Sequence, residues 1–318
     1  MNKRPLGNTG IEVSEIAFGA VEIGMPYGLG VNSAKDMLNE REAIKLLNDA
    51  LDRGINFFDT ARMYGNSETL IGKAFVSKRD QVVLASKCRH LRDEQGNLPE
   101  PKQIKDKILA SLEESLACLR TDYLDIYMLH QADIEILRHE EIGQTFLELK
   151  AKGIVKAIGV STYSVEETGT AIDSGVWDLI QLPFNLMDQR QAAMFNQARK
   201  SGVGIIIRSV LLKGLLSDRG KDLPAPLAEV EAHIQKYGTL THGGEFDLPA
   251  LAIKFALSFP EVSAVLVGID KETYLDHALK AANGQYLNKD ERQLARRLAY
   301  PQPEFINLPH WDKMGWLT

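Results

Sequence analysis

Residues 124–161 read LDIYMLHQADIEILRHEEIGQTFLELKAKGIVKAIGVS, and three transitions inside them decide the architecture. LDIYML at 124–129 is an almost unbroken apolar run, the pattern of a strand covered on both faces, and it stops at His130. Residues 139–152 carry a helical pattern that Gly153 closes. AIGV at 157–160 is a second short apolar run, ending at Ser161. Strand, helix and parallel strand in that order form a right-handed crossover unit.

The same unit recurs in both directions. Upstream lie IAFG (16–19), INFFD (55–59) and VVLAS (82–86); downstream lie DLIQL (178–182), VGIIIR (203–208) and AVLVG (264–268). Between them, residues 40–53 put Ala43, Leu46, Leu47, Ala50 and Leu51 on one stripe before Gly54, and 103–119 do the same with Ile104, Ile108, Leu112, Leu116 and Leu119. Further helices are predicted near 67–77, 164–174, 188–201, 246–258 and 271–282, with Gly175 and Gly202 closing two of them. Eight such alternations either close into a barrel or wind into an open sheet. An open nucleotide-binding sheet would place Gly-x-Gly-x-x-Gly after an early strand, and the chain has none, so a (β/α)8 TIM barrel is predicted. RPL and IEV, joined by GNTG, read as an N-terminal β-hairpin. The long connections at 20–39, at 209–245 and beyond Pro301 are candidate walls of the C-terminal mouth. No repeat or low-complexity linker divides the chain, so residues 1–318 are expected to form one domain.

Composition narrows the function classes. Forty-three acidic residues against 37 basic ones give a net charge of -6, which leaves no basic field to hold nucleic acid. Cys88 and Cys118 are too few for a disulfide framework and stand at no metal-ligand spacing, so a reducing cytoplasm and no metal are expected. MNKRPLGNTG lacks the apolar core of a signal peptide, and no run approaches the roughly 20 apolar residues of a membrane span. Partners are expected to be small molecules; the oligomeric state is not legible.

In a barrel of this kind the active site forms where the C-terminal strand ends converge. Those ends are Gly19 and Ala20, Asp59, Lys87, His130, Ser161, Gln181, Arg208 and Ser209, and Gly268, with Tyr64 five positions past Asp59. Singly, Asp59 reads as a cap or turn former, Tyr64 as a rim aromatic, Lys87 as a solvated lysine and His130 as a structural histidine. Together a carboxylate, a phenol, an ammonium and an imidazole at one mouth form a proton-transfer set. A tyrosine hydroxyl, with a reference pKa near 10, needs a nearby cation to exchange protons at neutral pH. Lys87 can supply it, Asp59 can hold the lysine, and His130 can orient a carbonyl oxygen.

The segments RPLGNTGIEVSEIAFG, GINFFDTARMYGNSETLIGKAF, VVLASKC, SLEESLACLRTDYLDIYMLH and GIVKAIGVS resemble the aldo-keto reductase superfamily, in the same order and over nearly the whole chain. The resemblance implies that Asp59, Tyr64, Lys87 and His130 are a catalytic tetrad, and that the cofactor is a nicotinamide dinucleotide bound without a Rossmann domain. It implies further that Ser161 and Gln181 meet the nicotinamide carboxamide, with Thr162 where the family usually has Asn. Arg208 stands where an aromatic often stacks on the nicotinamide, so it either stacks through its guanidinium or turns to phosphate. Ser209, Leu211 and Lys213 fall at pyrophosphate-loop positions, Lys213 reading equally as a solvated charge. After Gly268, Asp270 occupies the place of a basic residue that meets a 2'-phosphate, with Lys271 beside it, and Ala278 replaces a common adenine-contacting Asn. Family habit implies NADP(H), whereas Asp270 leans the reading slightly to NAD(H).

The leading expectation is an NAD(P)(H)-dependent oxidoreductase that interconverts a carbonyl (aldehyde, ketone or sugar-like) and an alcohol, with Tyr64 as general acid and base. Arg89, His90 and Gln131 would suit a hydroxylated substrate. Phe305, His310, Trp311 and Trp316 either pack the tail or wall the pocket. Two alternatives remain open: a cofactor-binding sensor or regulatory subunit with little turnover, and a barrel lyase or isomerase using a Lys87 Schiff base.

Overall fold

A computed structural model describes residues 1–31, 33–241 and 247–316. Eight parallel strands close into a barrel: β3 (Ile16–Gly19), β4 (Phe57–Asp59), β5 (Val83–Lys87), β6 (Leu124–Leu129), β7 (Val155–Ser161), β8 (Leu179–Pro183), β9 (Gly204–Arg208) and β10 (Val262–Gly268). The ring closes where β10 pairs with β3, Val265 opposite Ile16. The strands read as continuous apolar runs because both faces are dry. Ala17, Phe57, Ala85, Ile126, Met128, Ala157, Leu179, Ile206 and Ala264 form an inner cluster. Their strand neighbours Phe18, Leu84, Tyr127, Ile158 and Ile205 belong to the outer cluster beneath the helices.

Before the barrel, β1 (Lys3–Pro5) and β2 (Glu12–Ser14) pair antiparallel, Lys3 opposite Ser14. This hairpin plugs the N-terminal end. Leu6 and Val13 join the inner cluster, Ser14 N–H donates to Asn56 Oδ1 at 2.7 Å, and Ser263 Oγ donates to the Pro5 carbonyl at 2.9 Å. Arg4 fixes the seam. Its guanidinium donates to the carbonyls of Leu257 (2.9 Å), Phe259 (3.2 Å) and Val262 (2.9 Å), and to Glu15 Oε1 at 2.7 Å.

The helices follow the predicted stripes. Glu40–Asp52 buries Ala43, Leu46, Leu47 and Ala50, its start fixed by a reciprocal cap between Asn39 and Glu42. Pro101–Leu119 begins two residues before the expected span. The expected helix 139–152 is preceded by a separate turn of helix, Ile134–Arg138, capped by Asp133. The expected 188–201 divides into a 3-10 stretch, Arg190–Met194, and Phe195–Lys200. Leu248–Leu257 and Glu272–Ala281 lie inside their predicted ranges; position 246 is outside the described residues. The long connections carry helices that periodicity did not reveal, Val21–Gly24, Ala228–Ile234 and Leu308–Lys313, and a further one, Lys289–Arg297, precedes the tail. Among the described residues no helix is long and apolar enough to cross a membrane.

Candidate active site

Asp59 ends β4 and Lys87 ends β5, and adjacent strands bring the two side chains together at the mouth. Lys87 is fully buried and Asp59 nearly so; Lys87 Nζ donates to Asp59 Oδ1 at 2.5 Å and to the Thr60 carbonyl at 3.0 Å. Gln181, at the end of β8, donates through Nε2 to Asp59 Oδ2 at 2.9 Å. Both carboxylate oxygens are thus engaged, which offsets the desolvation of the pair. Burial lowers the Lys87 ammonium below its ordinary value, and Asp59 pulls it back.

Tyr64 follows on a turn held by backbone contacts: its N–H donates to the Ala61 carbonyl at 3.0 Å, and Asn66 N–H donates to Gly24 at 3.2 Å. Gly24 allows this approach, since a Cβ there would lie 2.1 Å from the Tyr64 carbonyl oxygen. The Tyr64 ring centroid is 5.0 Å from Lys87 Nζ and 5.2 Å from that of His130, edge to face. Burial first, and the Asp59 charge second, push the phenol above its ordinary range; Arg208 pulls the other way. His130, just past β6, is pushed down to about 2, chiefly by burial and next by Lys87, so its imidazole is neutral. Its Nδ1 is buried with no partner among the described residues. On its far side His90 stacks edge to face at 5.1 Å.

These groups adjoin a cavity of about 1000 Å³. Asp59, Tyr64 and His130 line it while Lys87 lies behind Asp59; Gly19, Ala20, Ser161, Gln181, Arg208, Ser209, Leu211, Lys213, Gly268 and Asp270 line the remainder. Tyr274, His277 and Ala278 line it beside Asp270. Two predicted contacts face elsewhere. Thr162 is the next residue after inward-facing Ser161, so its hydroxyl points away and bonds Thr168 at 2.7 Å. Lys271 is exposed and lies over Tyr274 at 5.6 Å.

Arg208 donates through Nη2 to the Thr162 carbonyl at 2.9 Å, and its Cζ sits 4.2 Å from the Tyr163 ring centroid. Beyond it Ser209, Leu212 and Lys213 adopt φ of 58°, 48° and 57°. Left-handed conformations at non-glycine residues cost of order 1 kcal/mol each and collect at ligand clamps. Lys213 Nζ meets Asp312 of the tail at 2.5 Å. Sequence reasoning did not single out Glu22, Tyr27, Tyr163, Ser217 or Arg219, all of which line the cavity. The tail aromatics pack among themselves: Phe305 contacts Trp311 at 5.5 Å and Trp316 at 6.4 Å, and Trp311 is fully buried. Arg89 pairs with Glu114 outside the cavity.

The cavity suits an extended dinucleotide. The reacting groups and a strained basic loop line one cavity of about 1000 Å³, and Glu22 Oε2, His130 Nδ1 and Arg208 Nε are buried without hydrogen-bond partners among the described residues.

The Aldo/keto reductase family model matches residues 15–298. Similar proteins include the uncharacterized oxidoreductase YqkF of Bacillus subtilis (strain 168), 26% identical over 310 residues that cover 92% of this chain and 94% of that protein. NADH-specific methylglyoxal reductase of Escherichia coli (strain K12) is 30% identical over 239 residues, 68% of this chain and 69% of that protein. The solved holo form of the aldo-keto reductase AKR11C1 from Bacillus halodurans aligns with a TM-score of 0.79 at 26% identity, covering 95% of this chain and 99% of that one. A match that runs from the close of the hairpin past the last barrel strand, onto a barrel whose mouth gathers these side chains, means that the chain belongs to the aldo/keto reductase family of NAD(P)H-dependent oxidoreductases.

Proposed function

We propose that this oxidoreductase interconverts a small carbonyl compound and its alcohol, with Tyr64 as the proton donor and acceptor. The observation that carries the reading is the buried Lys87–Asp59 pair beside Tyr64 and a neutral His130 at the wall of a large cavity. The nicotinamide, when bound, supplies the hydride. Two of the three Lys87 N–H groups serve Asp59 and Thr60, which leaves the third to stabilise the Tyr64 oxygen as its proton leaves. Neutral His130 donates one hydrogen bond to the substrate oxygen and adds no charge that would compete with the phenol. Ser161 and Gln181, Arg208, Ser209, Leu211, Lys213, Gly268 and Asp270 would hold the cofactor along the cavity wall. The whole chain acts as one barrel unit, and the free thiols of Cys88 and Cys118 suit a reducing cytoplasm.

Tyr64→Phe tests the assignment. It removes the proton and keeps the ring, so carbonyl reduction should fall by roughly 100-fold or more while NADH affinity, read by fluorescence titration, stays within about twofold. A variant that keeps most of its turnover would remove Tyr64 from the role.

A further inference from the structure

Glu22 stands on the four-residue helix Val21–Gly24, just past the end of β3, and lines the cavity. Its Oε2 is shielded from solvent and has no hydrogen-bond partner among the described residues. Gly268 makes room for it, since a Cβ at that position would stand 1.9 Å from Glu22 Oε1. The charged and titratable groups around it come from four other places: Asp270 after β10, Arg219 from the connection after β9, Tyr27 after its own helix and Tyr64 after β4. Glu22 therefore has within electrostatic reach both Tyr64, at the reacting end of the proposed dinucleotide site, and Asp270, expected at its adenosine end. An extended dinucleotide anchored at those two ends brings its diphosphate past this point, alongside Lys213, Ser217 and Arg219. A carboxylate there would face two phosphate charges with its own negative charge, beside a second carboxylate on Asp270. A carboxylic acid would offer the phosphate an O–H donor instead.

We propose that Glu22 is a cofactor-positioning residue that meets the diphosphate as a neutral acid, its O–H donating to a phosphate oxygen, so that cofactor binding is coupled to proton uptake. The inference rests on the proposed use of the cavity as a dinucleotide site. Its electrostatics agree: burial first, opposed by its own backbone amide, then the Asp270 charge, with Arg219 pulling down, leave the carboxyl pushed up to about 8.

The test is direct binding of NADH, which has no titrating group of its own between pH 7 and 9.5. This window lies above His90 and His130, which burial pushes down, and below Tyr27 and Tyr64, which burial pushes up. Wild-type affinity should weaken about tenfold from pH 7 to pH 9, as the protonated fraction falls. Glu22→Gln, a permanent donor of the same shape, should vary less than twofold over the range and bind more tightly than wild type at pH 9. Calorimetry on the unmodified protein in buffers of different ionisation enthalpy should show a fraction of a proton taken up per NADH bound at pH 8.5. Affinity independent of pH with no proton uptake, or the same slope in Glu22→Gln, would overturn this role for Glu22 and leave the dinucleotide site standing. Absence of NADH and NADPH binding at every pH would overturn the site itself, and this inference with it.

Discussion

Arg208 places a guanidinium at the mouth where a flat group is expected to lie against the nicotinamide, steadied by the Thr162 carbonyl and by the Tyr163 ring. Oxidised nicotinamide is cationic and the reduced form neutral, so this charge should disfavour the oxidised cofactor. Arg208→Tyr is expected to raise the affinity for NAD+ relative to NADH by about fivefold, the effect of roughly 1 kcal/mol between two unit charges in a well-solvated setting. Paired equilibrium titrations check it, and an unchanged ratio means that the guanidinium faces away from the ring. Asp270 also lines the cavity, where it is expected beside the adenosine ribose. Asp270→Arg should move catalytic efficiency toward NADPH by about tenfold, or roughly 1.4 kcal/mol, and the shift should shrink as salt rises. A strong wild-type preference for NADPH, untouched by the substitution, would place the carboxylate away from the ribose. Legibility at this scale followed side-chain direction. Ser161 could be located because it continues the strand alternation, and the same alternation turns Thr162 outward toward Thr168. Glu22 escaped notice because its meaning depends on Gly268, Asp270 and Arg219, none of them near in sequence.

The barrel strands were legible because each is dry on both faces, which writes an uninterrupted apolar run such as LDIYML into the sequence. Lys289–Arg297 was not, although Asn288 and Glu291 form a reciprocal cap, because Ala295 is its one buried residue and no stripe results. The tail was equally opaque: its aromatics can read as pocket wall or as packing, and their ring contacts assign them to packing. What the tail does contribute to the site is Asp312, which grips Lys213 on the strained loop. That loop also holds the segment after Val21–Gly24, since Leu29 N–H donates to the Lys213 carbonyl at 3.0 Å. Asp312→Ala should therefore speed NADH dissociation several-fold in stopped-flow measurements. The melting temperature should barely move, because Asp312 is half exposed and such pairs add little stability. An unaltered off-rate would mean that the loop keeps its shape without the tether.

Over the whole molecule one guanidinium ties the start of the chain to the approach to the last barrel strand. Arg4 caps the end of helix Leu248–Leu257 and the start of β10, while its partner Glu15 is nearly fully buried and also accepts from Tyr286. Arg4→Met keeps much of the stem volume but leaves three carbonyls unsatisfied and Glu15 without its cation. The expected cost is about 3 kcal/mol, a fall of roughly 4 °C in melting temperature by scanning calorimetry. A change under about 1 °C would show that water replaces the guanidinium freely. The same seam sets a timetable during synthesis. At roughly 5–20 residues per second, the ribosome needs on the order of tens of seconds to travel from Arg4 to the carbonyls that Arg4 holds. The hairpin can pair locally within that interval, yet Leu6 and Val13 have no completed barrel to plug until β10 emerges and docks on β3. A nascent chain released before Val262 thus carries an open sheet edge and a greasy hairpin, the two features that chaperones bind.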